Sequence, residues 1–230
     1  MQAIMEPVFE IAYLVFTMII GIIMIVKSGN DKSYRLFGTA ALLLAVGDSF
    51  HLIPRMLGLI TDTLSENVFA LGVGTLITSI TMTIFYVLIF HFWQLRSDTP
   101  ANKSLSAIIY MLAIARIVLC LFPQNEWFTA DSPLSWGIIR NIPFVIMGII
   151  LIVLFAKNKI EGFRFAPLAI FFSFLLYIPV VLWADTIPLI GMLMLPKTIC
   201  YVWFIVMGYR QSRRAVRKKT AYIENEYNDK

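Results

Sequence analysis

Histidine and cysteine are scarce: 230 residues contain two of each, His51, His91, Cys120 and Cys200. Two imidazoles cannot furnish a three-histidine zinc site, which excludes the chemistry of ceramidase-like and adiponectin-receptor-like seven-helix hydrolases. The cysteines stand in apolar stretches without CxxC or paired spacing, and read as small buried hydrophobes. Charge is scarce too. Only 14% of residues are charged, against roughly 25% in soluble domains, while 59% are hydrophobic, against about 45–50%. A water-soluble fold of this length cannot hide so much apolar surface. The composition therefore predicts an all-α, polytopic membrane protein, and no cofactor is implied.

A spanning helix needs roughly 20 mostly apolar residues. Seven such runs are present: 7–26, 36–57, 67–93, 105–122, 136–155, 165–183 and 188–207. The first lacks a basic leader and a small-residue cleavage site, so it is expected to be a retained helix. Lys27, Lys32 and Arg35 follow the first run, Arg96 and Lys103 the third, and Lys157, Lys159 and Arg164 the fifth. Arg210, Arg213, Arg214, Arg217, Lys218, Lys219 and Lys230 follow the seventh, so 15 of the 19 basic residues fall on one side. The other loops carry Asp62, Glu66, Glu126 and Asp131 and no Lys or Arg. The positive-inside rule then places the N-terminus outside and the C-terminus in the cytoplasm. Residues 1–208 are expected to form the transmembrane domain and 209–230 a basic cytoplasmic tail, docked on anionic inner-leaflet lipid rather than nucleic acid. Asn102-Lys-Ser matches a glycosylation sequon but falls on the cytoplasmic side.

The loops after the first and fifth runs look alike, Lys27-SGNDKSY-Arg35-Leu-Phe beside Lys157-NKIEGF-Arg164-Phe-Ala. A parallel three-one-three repeat, helices 1–3 matching 5–7 about a lone fourth, would explain this; the positive-inside rule alone would as well.

Arg55, Arg116, Arg140 and Lys197 fall within or at the ends of spans, together with Asp48 and His51. A charge near a bilayer centre costs at least about 2.5–3.5 kcal/mol, so such residues face a partner, water or a ligand. Asp48, His51 and Arg55, spaced three and four apart, share one helix face. With the predicted orientation, all of these lie in the outer half of the membrane. Pro54, Pro143, Pro179 and Pro196 occupy outer parts or middles of helices, where a freed carbonyl is tolerated beside a cavity. Together these features predict an outward-opening polar chamber lined by Asp48, His51, Arg55, Arg116, Arg140, Asn141 and Lys197. The plainer alternatives are snorkelling for Arg55 and Arg140, and a ligand-free ion pair for Asp48 and Arg116. Glu10 and Asp185 read as solvated helix ends, and His91 as an interfacial residue. Cations outnumber carboxylates even with those two counted, so a small anionic or zwitterionic solute is expected, with Asp48 and His51 as a proton-linked switch.

Three function classes are compatible with these residues. A carrier and a sensor share the same binding site; with only a short tail following the seventh run, transport is expected over sensing. The size, topology and seventh-helix Lys197 resemble microbial rhodopsins, but Leu193 stands where a carboxylate would precede the lysine, and the third helix lacks the Arg and Asp that stabilise a Schiff base. A hydrolase using Asp48 and His51 is the enzyme alternative, disfavoured because Ser49 and His51 point to different helix faces.

The run GDSFHLIPR, Gly47 to Arg55, resembles the second helix of an uncharacterised seven-helix membrane protein family of Gram-positive bacteria with a Gly-Asp-x-Phe-His-Leu-x-Pro-Arg signature. The resemblance covers nine residues closely and implies a multi-pass protein of a bacterial plasma membrane. It brings no activity with it.

Overall fold

A computed structural model describes residues 2–29, 31–61, 63, 67–98, 102–129, 132–184 and 186–228, without the side chains of 2–4, 188 and 219–228. Asp62, Glu66, Asp131, Asp185, Lys230 and the Lys219 side chain, to which loop and tail expectations were attached, lie outside the described residues. Among the described residues the chain is all-helical: α1 (Gln2–Lys27), α2 (Lys32–Thr61), α3 (Val68–Arg96), α4 (Lys103–Leu121), α5 (Leu134–Lys157), α6 (Ala166–Trp183) and α7 (Met194–Asn228), with 3-10 turns at Pro123–Asn125 and Pro188–Leu193. All seven helices are long and apolar enough to cross a membrane, as a multi-pass membrane protein requires.

Successive helices run in opposite directions. Arg55, late in α2, is paired with Glu6 and Glu10, early in α1. At the other end of the bundle Arg96, closing α3, lies 3.7 Å from Asp31, just before α2, and bonds the Tyr34 hydroxyl. The Trp93 indole donates to Leu154 O at 3.2 Å, aligning the ends of α3 and α5. Among the described residues α4 packs chiefly against α3 and α5, while α7 closes the bundle against α1, α2 and α6.

Helices approach closely where side chains are smallest, as in membrane bundles that lack a hydrophobic force between helices. Gly21 and Gly38 face each other across α1 and α2: a Cβ on either would come within 3.0 Å of the other's carbonyl oxygen. Aromatic rings fill the half of the core away from Arg55. Phe37 meets Phe92 at 4.8 Å, Phe163 at 5.6 Å and Phe204 at 5.4 Å, tying α2, α3 and α7 to the loop after α5.

Six helices match the expected spans to within a few residues, and the seventh differs. Pro188 and Gly191 keep residues 188–193 in a 3-10 turn, so the α-helix starts at Met194. Pro196 is therefore the third residue of α7, where the backbone N–H has no helical acceptor to lose. It therefore frees no carbonyl within α7, contrary to expectation, whereas Pro54, Pro143 and Pro179 do lie inside helices. Lys197 accordingly stands in the first turn of α7, not mid-helix. No break in the helix marks residue 208; α7 continues through the basic segment.

Asn102 has a structural use of its own. It caps α4, its side-chain oxygen accepting the Leu105 N–H at 2.8 Å. Asn102→Ala is expected to cost about 0.5–2 kcal/mol of stability, read as a lowered melting temperature; an unchanged melt would show that the cap carries no weight.

Candidate functional site

The expected chamber is present in part. A cavity of about 60 Å³ lies between α1, α2, α3 and α7, bounded by Glu10, Tyr13, Asp48, His51, Arg55 and Lys197. That volume has room for a few waters, at most about four to six if each needs roughly 10–15 Å³. Helical periodicity delivers its charged walls. Asp48, His51 and Arg55 come from one face of α2, and Glu6, Glu10 and Tyr13, spaced four and three apart, from one face of α1. Lys197 and Tyr201, four apart on α7, complete the ring.

Arg55 is paired with two carboxylates. One guanidinium nitrogen donates to Glu10 at 3.3 Å and another to Glu6. Both carboxylates are buried, with side chains 3% and 5% exposed. Glu10 is thus a wall of the cavity, contrary to the expectation that it was solvated: the α2 guanidinium draws it inward. Tyr13 donates to Asp48 Oδ2 at 2.7 Å. His51 Nδ1 lies 3.0 Å from Thr75 Oγ1. Thr75 gives its single hydroxyl hydrogen to Leu71 O at 2.8 Å, so the imidazole Nδ1–H is the donor and Nε2 is left as the ring's acceptor.

Lys197 is held differently. Its Nζ sits 4.2 Å from the Tyr177 ring centre and 5.6 Å from that of Tyr201, with Met194 Sδ at 4.0 Å. Among the described residues no ion pair includes Lys197 or Asp48, although both border the same cavity. Ring faces hold the ammonium in place, and its hydrogen-bonding capacity is left largely unused.

Arg116, Arg140 and Asn141 fall outside the cavity wall. Arg116 is 2% exposed, its guanidinium 3.4 Å from the Phe144 ring centre, with Nη2 donating to Asn141 Oδ1 at 3.4 Å. Its Nε and Nη1 have no partner among the described residues. Arg140 donates to Asn125 Oδ1 at 2.9 Å and lies over Trp127. Tyr177 joins the two groups, donating to Asn141 Oδ1 at 3.0 Å while its ring carries Lys197. The structure therefore gathers Asp48, His51, Arg55 and Lys197 at one cavity and leaves Arg116, Arg140 and Asn141 outside its lining, with Tyr177 linking Asn141 to Lys197.

No family model, curated protein or solved structure matches the chain. The site must be read from its own chemistry. Glu6 was missed in the sequence, as was the polar stripe that joins it to Glu10 and Tyr13. Its signal was the i, i+4, i+7 spacing Glu6, Glu10, Tyr13, which repeats on α1 the polar stripe recognised on α2. Among the described residues no group of three or more His, Cys, Asp or Glu could hold a metal ion. His91 is remote from His51, bonded to Tyr110 at 2.6 Å and Gln94 at 2.9 Å. Ser49 donates to Val46 O at 2.7 Å, away from any base.

Proposed function

We propose that this protein binds a small zwitterionic or anionic solute in the cavity between α1, α2, α3 and α7, and carries it across the membrane. One observation bears most of the weight: Asp48 and Lys197, of opposite charge and on different helices, border one cavity without pairing with each other. Charges kept apart in a bundle of apolar helices are costly unless water or a ligand lies between them.

The basic loops give the site its orientation in this reading, with the N-terminus and the cavity towards the outside and the Arg96 end in the cytoplasm. The membrane is the plasma membrane of a bacterium. Arg210, Arg213, Arg214, Arg217 and Lys218 then meet anionic inner-leaflet lipid, at about 1 kcal/mol per base. A three-one-three repeat would make the α1–α7 contact equivalent to the α5–α3 contact, and both are present.

The test is a thermal-shift panel of compact solutes on the full chain in nanodiscs: acetate, nitrate, phosphate, glycine and alanine. At least one is expected to stabilise the wild type, and Lys197→Met to weaken that ligand at least tenfold. A panel that shifts nothing would overturn the reading. Flux of the bound solute into proteoliposomes identifies a carrier; binding without flux leaves a sensor.

A further inference from the structure

The cavity wall is more specific than a general polar pocket, and on the reading above it names the class of its occupant. We infer that the cavity takes a compact zwitterion bearing a primary ammonium and a carboxylate a few bonds apart, of the size of glycine or alanine, with the carboxylate at Lys197 and the ammonium at Asp48.

Charge supports a zwitterion over a simple anion. Of the four cations expected to line the chamber, Arg116 and Arg140 lie outside its lining, and Arg55 is committed to two carboxylates. Lys197 is the cation left for a guest, and it faces Asp48 and Glu10 across the same space. A lone anion would satisfy Lys197 and be repelled by the carboxylates. A lone cation would satisfy Asp48 and leave the buried ammonium of Lys197 without a counter-charge. A guest with both charges relieves both walls.

The hydrogen-bond inventory supports a primary ammonium. Thr78 Oγ1 donates to Gly47 O at 3.0 Å and Thr198 Oγ1 to Met194 O at 2.9 Å, so both hydroxyls keep only lone pairs for the cavity they border. Asp48 Oδ2 is taken by Tyr13, and Oδ1 has no partner among the described residues. His51 keeps Nε2 as an acceptor. Asp48, His51 and Thr78 thus present acceptors on the α2–α3 side and Thr198 one on α7, all of which suit N–H donors, while Lys197 supplies donors from α7. A quaternary ammonium would offer these acceptors nothing. Size suits a compact guest, since space for a few waters is comparable to a solute of about five heavy atoms.

The test is isothermal titration of the full chain in nanodiscs with glycine, alanine, acetate, methylammonium and glycine betaine. Glycine or alanine is expected to bind at least tenfold more tightly than acetate, methylammonium or betaine. Asp48→Asn should weaken the amino acid tenfold or more while sparing or improving acetate; Lys197→Met should weaken both. Should acetate match the amino acids on the wild type, the site is an anion site: this inference falls and the solute-binding reading stands. Should none of the five bind while phosphate or nitrate does, the same holds. Silence from every solute removes both. The comparison among ligands is made on the wild type, so it decides the matter even where a variant fails to fold.

Discussion

Replacing Arg55 by methionine is expected to destabilise the protein by about 3 kcal/mol, the lower end of what removing one partner of a buried ion pair costs. The lower end applies because Arg55 is 23% exposed, whereas the side chains it serves, Glu6 and Glu10, are 3% and 5% exposed. The substitution deletes little packing but leaves two buried carboxylates side by side, one of which already has an oxygen without a partner, Glu10 Oε2. The control carries the meaning. In a Glu6→Gln/Glu10→Gln background the same change should cost less than half as much, because no uncompensated charge remains. Reversible unfolding in SDS-containing mixed micelles would give both numbers, and equal costs in the two backgrounds would show that the pair is a solvated surface contact.

Gly74→Ala should cost about 1–3 kcal/mol, as overpacking of a tight interface does. The reason lies in two residues of α2. Pro54 has no N–H, so the carbonyl of Phe50, four residues earlier, loses its helical partner. Gly74 of α3 lies directly against that carbonyl: a Cβ would stand 2.3 Å from Phe50 O and 2.6 Å from His51 Cα. Both are backbone atoms, which no rotamer change can move aside. The methyl group must therefore push α2 and α3 apart at the turn that carries His51. The same micelle titration reads the stability. Binding of glycine or acetate by the folded fraction should weaken alongside it, since the His51–Thr75 hydrogen bond spans this interface. A stability within 0.5 kcal/mol of wild type, the range of an ordinary surface substitution, would refute the close packing.

The span count was legible because a run of 20 apolar residues has few other uses, and six helices were located by that rule alone. The seventh span begins where expected, at Leu189, but hydropathy is silent on where its regular α-helix starts. Residues 188–193 are as apolar as any span, and only Pro188 and Gly191 mark them as a 3-10 turn. That shift moved Lys197 from mid-helix to a first turn and made Pro196 harmless. The face of α2 was legible for the same reason as the spans, since Asp48, His51 and Arg55 follow the helical period. Which basic residues would share the cavity was not. Arg116 and Arg140 follow the same depth rule as Lys197, but depth says nothing about rotation about a helix axis, and they face Phe144 and Trp127 instead. Glu10 was misread for a related reason: position near a helix end suggested water, and only a partner on another helix, Arg55, explains its burial.

α7 runs without interruption from Met194 to Asn228. Lys197 and Lys218 lie 21 residues apart on it, about 30 Å at 1.5 Å per residue, close to the thickness of a hydrocarbon core. No proline lies between them, and the glycine that does, Gly208, is packed against the Phe37 ring. A rigid rotation of this helix that re-aimed the amine would carry Arg213, Arg214 and Arg217 with it at the far end, so the two extremities would share one mechanical coordinate.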